Sequence, residues 1–433
     1  MICFSRRLVL VAFALLVSSR SSWAEAPEPT SLLRILNRPA TAGVLKSLTA
    51  DNAEFIVAGK ELKLPLADIS RFGDWQETAR GPQIVLHDGS ILIGDILRMT
   101  TEELVLGDAL QLGRCRWEDE TIPLSRVRGI LLQPPANRLE RDRLMIALAN
   151  EKRRDDELLV VGGETIKGIC LGTKDAATGD STNGRSWETL RFQLRGVNHA
   201  VNLPAAKVRG LALSTTLQPP LKSPPAYWLG LADGNLLAVR RLHATAKTVE
   251  LELAGGVLLN CDLETGDEQS PRFLDLVSFL WPTNPRMLAV RPPVKYEFRP
   301  YLSTEWPLGI DSNVHGGRLR QRTGIAFHGF GCHAGGTIEV EVPERAEFFE
   351  VEACVDDSLA DNGRMQFAIL AVHDGPAKEV AVSPMLTPQD KSYAFRVPVT
   401  AGAKLRLEAR WADGGDVGDD GNWCYPRFVL GGG

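Results

Sequence analysis

The chain of 433 residues contains no Cys-x-x-Cys pair, no run of like charge longer than three residues, and no apolar run long enough to cross a bilayer. Each absence removes a class of function. Without Cys-x-x-Cys spacing, zinc-ribbon and thioredoxin-type chemistry has no support. The formal net charge is −5, and the one basic cluster, Lys152-Arg153-Arg154, is followed at once by Asp155-Asp156-Glu157. Phosphate binding requires a basic surface, so nucleic acid is excluded as the main partner. The apolar run LVLVAFALLV spans residues 8–17, half of the about 20 residues a spanning helix needs. Aromatic content is low at 7%, and histidine is scarce at seven residues. Any site built on these types therefore uses few positions.

What remains is an ordinary packed composition, 44% hydrophobic and 24% charged, long enough for roughly three domains. Arg6 and Arg7, the apolar run 8–17 and the small residues Ser22 and Ala24 make a secretory signal over 1–24, with the mature chain beginning near Glu25. Export to the periplasm, cell surface or medium is the expectation. No cysteine lies at the cut, which argues against a lipid anchor. Cys3 leaves with the signal. The six others are Cys115, Cys170, Cys261, Cys332, Cys354 and Cys424, which allow 15 pairings if all pair. Most serve as small buried apolar residues. One pair among Cys332, Cys354 and Cys424, which share a domain, is the disulfide expected.

The first two thirds repeat one phrase order. VLHDGSILIGDIL (85–97), VVGGETIKGICL (160–171) and GLADGNLLAVRRL (230–242) each carry a turn dipeptide between apolar runs, as hairpins do. A second alternating run follows each: EELVLG, TLRFQLRG and TVELELAGG. Each stretch ends on a similar phrase: IPLSRVRGILL (122–132), LPAAKVRGLAL (203–213) and FLDLVSFLW (273–281), with LKLPLADISRFG (62–73) closing the earliest. Periods of about 40–60 residues suit small barrels of about five short strands. They resemble Sm-like or SH3-like barrels and suit structural or protein-contact roles, including contacts with other envelope proteins. The boundaries expected are 25–80, 81–136, 158–216 and 217–282 for four β repeats. A helical connector is expected at 137–157 after Pro134-Pro135, and a proline-rich linker at 283–294.

From 295 to 433 short alternating strands dominate: GTIEVEVP (336–343), FFEVEACVD (348–356), RMQFAILAV (364–372), YAFRVPV (393–399) and KLRLEARW (404–411). Each is bounded by Gly, Asp or Pro. This spacing predicts an antiparallel β-sandwich. Gly329-Phe330-Gly331-Cys332-His333-Ala334 is followed by Phe348-Phe349 leading to Asp356-Asp357. Then come Gly363, Phe367, Ile369 and Asp374-Gly375, Leu405-Arg406-Leu407, and finally Asp419 and Trp423. In this order the phrases resemble the NPCBM module, the carbohydrate-binding domain noted beside glycoside hydrolases of family 98. The resemblance covers about 295–430. It implies a galactose-binding-like jelly roll that recognises sugars, with a structural calcium in some members, and it does not imply hydrolysis.

Cys332 beside His333 is no nucleophile elbow, because that motif needs a strand, a sharp turn and a helix, and TIEVEVP follows as a strand. Neighbours on a strand also point to opposite faces. His333 is either a buried histidine bonded to nearby backbone or a sugar contact. Asp356-Asp357 and Asp419-Asp420 would have to face each other across a cleft at about 5–10 Å to hydrolyse a glycoside, and the chain lacks a large barrel to bury the sugar. Asp413, Asp416, Asp419 and Asp420 offer hard oxygens, but not at the alternate positions of an EF-hand. They either hold a calcium, through Asp416, Asp419 and Asp420, or form a solvated turn. Trp306, Trp411, Trp423 and Tyr425 are the candidate stacking faces, with Trp423 also placed to be core. The reading is a mainly β, non-catalytic, exported glycan-binding protein with candidate contacts at Trp306, His333, Asp356, Asp357, Asp419, Asp420 and Trp423. The alternatives are a structural or assembly protein without sugar binding, and an accessory component of a glycoside hydrolase.

Overall fold

The computed structural model describes residues 31–431, apart from 37, 108–114, 118–119, 151, 176–186, 222, 245–247, 264–272, 285, 291–292, 302–303, 359–361, 373–374 and 413–414. The signal-type segment 1–24 and Asp413 lie outside the described residues.

One pairing scheme occurs four times. In the first occurrence the strands Ser31–Ile35, Thr41–Leu48, Asn52–Val57 and Lys60–Pro65 form an antiparallel meander. A 3-10 turn, Leu66–Asp68, then feeds the strand Ile69–Gly73, which pairs back onto Ser31–Ile35. Val127–Leu131 returns in the same way to Gln83–Leu86, Val208–Ala212 to Asp156–Val160, and Val277–Pro282 to Tyr227–Leu231. The similar closing phrases lie on this turn and return strand. Pro65, Pro123 and Pro204 precede the first three turns with φ near −57°, the angle the proline ring imposes. The Asp-Gly turns have an equally local cause. Asp88 and Asp233 each accept a hydrogen bond from the backbone N–H two residues on, while Gly89 and Gly234 take φ of 90° and 97°.

The four stretches are not separate beads. Gly129–Leu131 pairs with Gly210–Ala212, and Phe279–Leu280 pairs with Phe72–Gly73. One hydrophobic cluster runs from Leu33 to Leu280. The helix is shorter than the 137–157 expected. It spans Arg138–Asn150 and is capped by Asn137, whose side chain accepts the Glu140 N–H. It buries Met145 and Leu148 against Val85, Leu131 and Ala212. Of its predicted C-terminal part, Asp156 and Glu157 are strand instead. Asp156 begins Asp156–Val160, and its carboxylate accepts the N–H groups of Cys170 and Ser214, which ties it to the sheet.

The C-terminal part is a sandwich of two antiparallel sheets. One runs in the order Gly309–Ile310, Gly329–His333, Asp420–Leu430, Ala346–Val355, Tyr393–Pro398. The other runs Lys295–Phe298, Gly336–Glu341, Lys404–Trp411, Met365–Val372, Lys378–Val382. Ile338, Val340, Phe349, Phe367, Leu405, Leu407 and Trp423 fill the space between them. The expected linker 283–294 is part of this body: Met287–Ala289 pairs with Arg427–Val429 of the long central strand.

The sandwich is docked on the repeats through buried charge and a hairpin. Glu352 lies 3.0 Å from both Arg34 and Arg71. Arg318 and Arg320, on and beside the strand Leu319–Gln321, bond to Asp142 of the helix and to Glu77. Ile325 of the same hairpin packs against Trp75, Leu236 and Phe279, and its N–H donates to the Trp75 carbonyl.

The expected disulfide does not form. Cys332, Cys354 and Cys424 are all free buried thiols. The ladders set Cys332 opposite Gly421, Cys354 opposite Asn422, and Cys424 opposite Gly329 and Glu352; the Cys354 and Cys424 side chains are neighbours in one cluster but are not joined.

Candidate functional site

One end of the sandwich gathers Trp306, His315, His333 and Asp420 from four segments. His333 ends the strand Gly329–His333, and Asp420 begins its neighbour, so the ladder places them directly opposite. Trp306 lies in the loop before Gly309–Ile310, held by the Tyr296 hydroxyl, which donates to the Trp306 carbonyl at 3.2 Å. The Trp306 ring lies flat on His333, with centroids 5.0 Å apart and planes 6° apart, and edge-on to His315 at 5.2 Å. His315 Nε2 is 2.8 Å from Asp420 Oδ2, and His333 Nε2 is 3.9 Å from Asp420 Oδ1. Trp306 stays half-buried, whereas His333 is 3% exposed. His333 also contacts the Ala334 carbonyl through Nδ1 at 3.1 Å.

The layer beneath sets the His315 loop. Asn313 accepts the N–H groups of His315 and Gly317 through its side-chain oxygen. Its amide donates to Ser358 and, at 3.4 Å, to Asp356. Asp356 is fully enclosed and also accepts the Ser358 and Arg320 N–H groups and the Asn422 amide. Burial pushes its carboxyl upward despite these bonds. Gly331 explains the glycine spacing of Gly329-Phe330-Gly331: a Cβ there would drive into the Asn313 backbone.

A second aromatic pair flanks the His333–Gly335 segment. Tyr301 and Trp411 meet edge-on at 5.9 Å and are 50% and 38% exposed. Gly335, at φ of 94°, lies directly against the Trp411 ring. Phe298 approaches His333 edge-on at 6.1 Å from the other side.

The other sequence-derived candidates separate from this group. Trp423 is wholly buried, packed against Phe367 and Phe395, so it is core and offers no stacking face. Cys424, its neighbour, points to the opposite cluster with Cys354 and Tyr425. Tyr425 is 2% exposed. Asp356 supports the site from beneath and cannot touch a ligand, and Asp357 turns to Arg138 on the helix at 3.6 Å. Asp419 is held by the Arg364 N–H at 2.7 Å, and its second oxygen is buried without a partner. Burial raises its carboxyl, with the Arg364 bond opposing. Cys332 is buried, and that pushes its thiol up to about 12, so it is protonated and inert at neutral pH.

Calcium fares poorly against the donor set. Among the described residues no three His, Cys, Asp or Glu side chains group to hold a metal. The acidic stretch is a turn in which Asp419 N donates to the Asp416 carbonyl. Asp416, Asp419 and Asp420 thus form no such group among the described residues. His315 was missed from sequence. Its only local signal is its place between the turn-forming Asn313 and Gly316-Gly317.

Residues 300–429 match the NPCBM/NEW2 domain. The matched stretch contains Trp306, His315, His333 and Asp420. No curated protein matches the chain. Among solved structures, a CBM51 module from Clostridium perfringens GH95, in complex with methyl-galactose, is 17% identical. It covers 33% of this chain and 99% of its own, with a TM-score of 0.28. The tandem CBM51 modules of a family 98 glycoside hydrolase from Streptococcus pneumoniae are 12% identical. They cover 84% of this chain and 98% of theirs, with a TM-score of 0.29. A structure of CBM51-2 and INT domains from Clostridium perfringens, in complex with GlcNAc, is 15% identical. It covers 46% of this chain and 42% of its own, with a TM-score of 0.30.

Proposed function

We propose that the protein is an exported, non-catalytic glycan-binding protein and that its NPCBM/NEW2 domain binds sugar at the Trp306 cluster. The carrying observation is the ring of Trp306 laid flat on His333 beside a carboxylate that His315 orients. An aromatic face takes the C–H side of a pyranose, and the half-buried His315 imidazole at its edge takes a hydroxyl, while the buried His333 and Asp420 hold the two rings in place. Tyr301 and Trp411 extend the aromatic surface for a second sugar unit. Of the four carboxylates that a hydrolase would draw on, Asp356 is enclosed by four donors and Asp357 pairs with Arg138. The repeats hold the domain and present it, and they offer the surface for contact with other envelope proteins.

The test is a glycan array on the full chain, followed by calorimetry of each hit with wild type and Trp306→Ala. Binding that Trp306→Ala weakens at least about ten-fold, with an unchanged melting temperature, is the expected outcome. A silent array would overturn the glycan reading and leave the structural role. Binding untouched by Trp306→Ala would place the sugar elsewhere.

A further inference from the structure

A cleft of about 460 Å³ opens between the first repeat and the sandwich, within the range of about 300–1,000 Å³ found for small-ligand sites. Its charged lining is Arg34, Arg38, Arg396 and Arg427 against Glu350 and Glu352. Both carboxylates are already shared. Glu352 serves Arg34 and Arg71 and accepts from the Ser392 hydroxyl. Glu350 serves Arg427, at 2.9 and 3.0 Å, and Arg396. Arg71 is further matched by Asp74 at 3.1 Å. Four guanidinium groups thus face two carboxylates, and positive charge is in excess.

Two of those guanidinium groups keep unused donors. Arg34 lines the cleft, and its Nε, enclosed 3.0 Å from Glu352, is not aligned for a hydrogen bond and has no other partner. Arg38 is exposed at the rim and has no side-chain partner among the described residues. Burial, with Arg71 and Arg427 close by, lowers the proton affinity of Arg34 against the pull of Glu352. An incoming anion would relieve that repulsion. The guanidinium fork matches a planar carboxylate and holds it through two parallel bonds.

We propose that this cleft binds a carboxylate-bearing ligand of monosaccharide size, held by Arg34 and Arg38 on the repeat side and Arg396 on the sandwich side. The carboxylate comes either from an acidic sugar unit or from a free organic acid. The site is separate from the Trp306 cluster, and its ligand completes the charge balance where the two parts of the chain meet.

Calorimetry on the full chain distinguishes the sources, with glucuronate, glucose and acetate as probes. Saturable glucuronate binding with none for glucose is expected. Arg38→Ala should weaken it about ten-fold and Arg38→Glu abolish it. Neither change should move the melting temperature, because Arg38 holds no other part of the fold. Trp306→Ala should leave glucuronate affinity unchanged, so failure here and failure of the sugar reading at Trp306 are separable. Acetate binding as tightly as glucuronate would support the carboxylate chemistry and assign the site to free acids. No binding of glucuronate or acetate, equal binding of glucose, or glucuronate binding that Arg38→Glu leaves intact would each overturn the proposal.

Discussion

Replacing Glu77 by Gln should loosen the sandwich from the helix. Glu77 meets three guanidinium groups: Arg141, Arg318 and Arg320. Its side chain is 11% exposed. Burial acts to raise its carboxyl, and Arg318, the Arg141 hydrogen bond and Arg320 overcome this, holding it at about 2 against an ordinary 4.5. At about 1.4 kcal/mol per pKa unit, that difference corresponds to about 3 kcal/mol. Removing one partner of a buried ion pair costs about 3–5 kcal/mol, the same scale. Because the folded value lies below the unfolded one, the contribution is complete above pH 4.5 and is lost as pH falls toward about 2. Glu77→Gln keeps the shape and removes the charge, leaving Asp142 alone against Arg318 and Arg320. Urea unfolding at pH 7 should show a midpoint about 1 M lower for an m-value of roughly 3 kcal/mol/M. Amide exchange should quicken first in the hairpin Leu319–Ala326. The variant should also lack part of the acid-dependent loss that wild type shows between pH 4.5 and 2. A midpoint within about 0.3 M of wild type, with hairpin protection unchanged, would refute the reasoning.

Trp423→Ala should cost about 3–5 kcal/mol, since it empties a core position packed by Phe367 and Phe395; a melting temperature near wild type would show that the ring is not core. Cys170, Cys261, Cys332, Cys354 and Cys424 are all buried, and burial raises Cys170 and Cys332 to about 12. In native protein at pH 8 they should resist a thiol reagent that labels them in urea, and rapid native labelling of any one would contradict its burial.

What could be read from sequence was whatever is decided locally. The phrases ending in SRFG, SRVRG and AKVRG mark a proline-entered turn and a return strand, because proline angle and strand alternation act over a few residues. Strand alternation puts Trp423 and Cys424 on opposite faces for the same reason. The matches at residues 329–334 carried the NPCBM resemblance, and Gly331 has a steric cause in the Asn313 backbone. The illegible parts depend on distant partners. Arg318 and Arg320 look like surface basics in RLRQR, yet their carboxylates are 176 or more residues away. His315 joins Asp420 across 105 residues. The helix ends at Asn150, although Asp155-Asp156-Glu157 reads as a charged helix end. Asp156 instead accepts backbone N–H groups from a neighbouring strand, at Cys170, and from Ser214 just past another. The acidic loop offers oxygens by composition, whereas the turn that joins the Asp419 N–H to the Asp416 carbonyl appears only in three dimensions.

The boundary between repeats and sandwich yields a final prediction. The resemblance and the family match both begin near 295–300, which invites study of residues 295–433 alone. That fragment would lose Met287–Ala289, whose ladder covers Arg427–Val429 of the central strand. It would also lose Val290, 6% exposed and part of the sandwich core. Burying a valine is worth about 1.5–3 kcal/mol, and an uncovered strand edge invites pairing with another chain. A fragment starting at residue 283 should therefore unfold about 2 kcal/mol later than one starting at 295 and stay monomeric at higher concentration. Both fragments lack Arg34 and Arg71, so Glu352 becomes an exposed acid in each and cancels from the comparison. Equal stability of the two fragments would mean that the pairing of Met287–Ala289 and the burial of Val290 contribute nothing, and that the sandwich ends where the resemblance does.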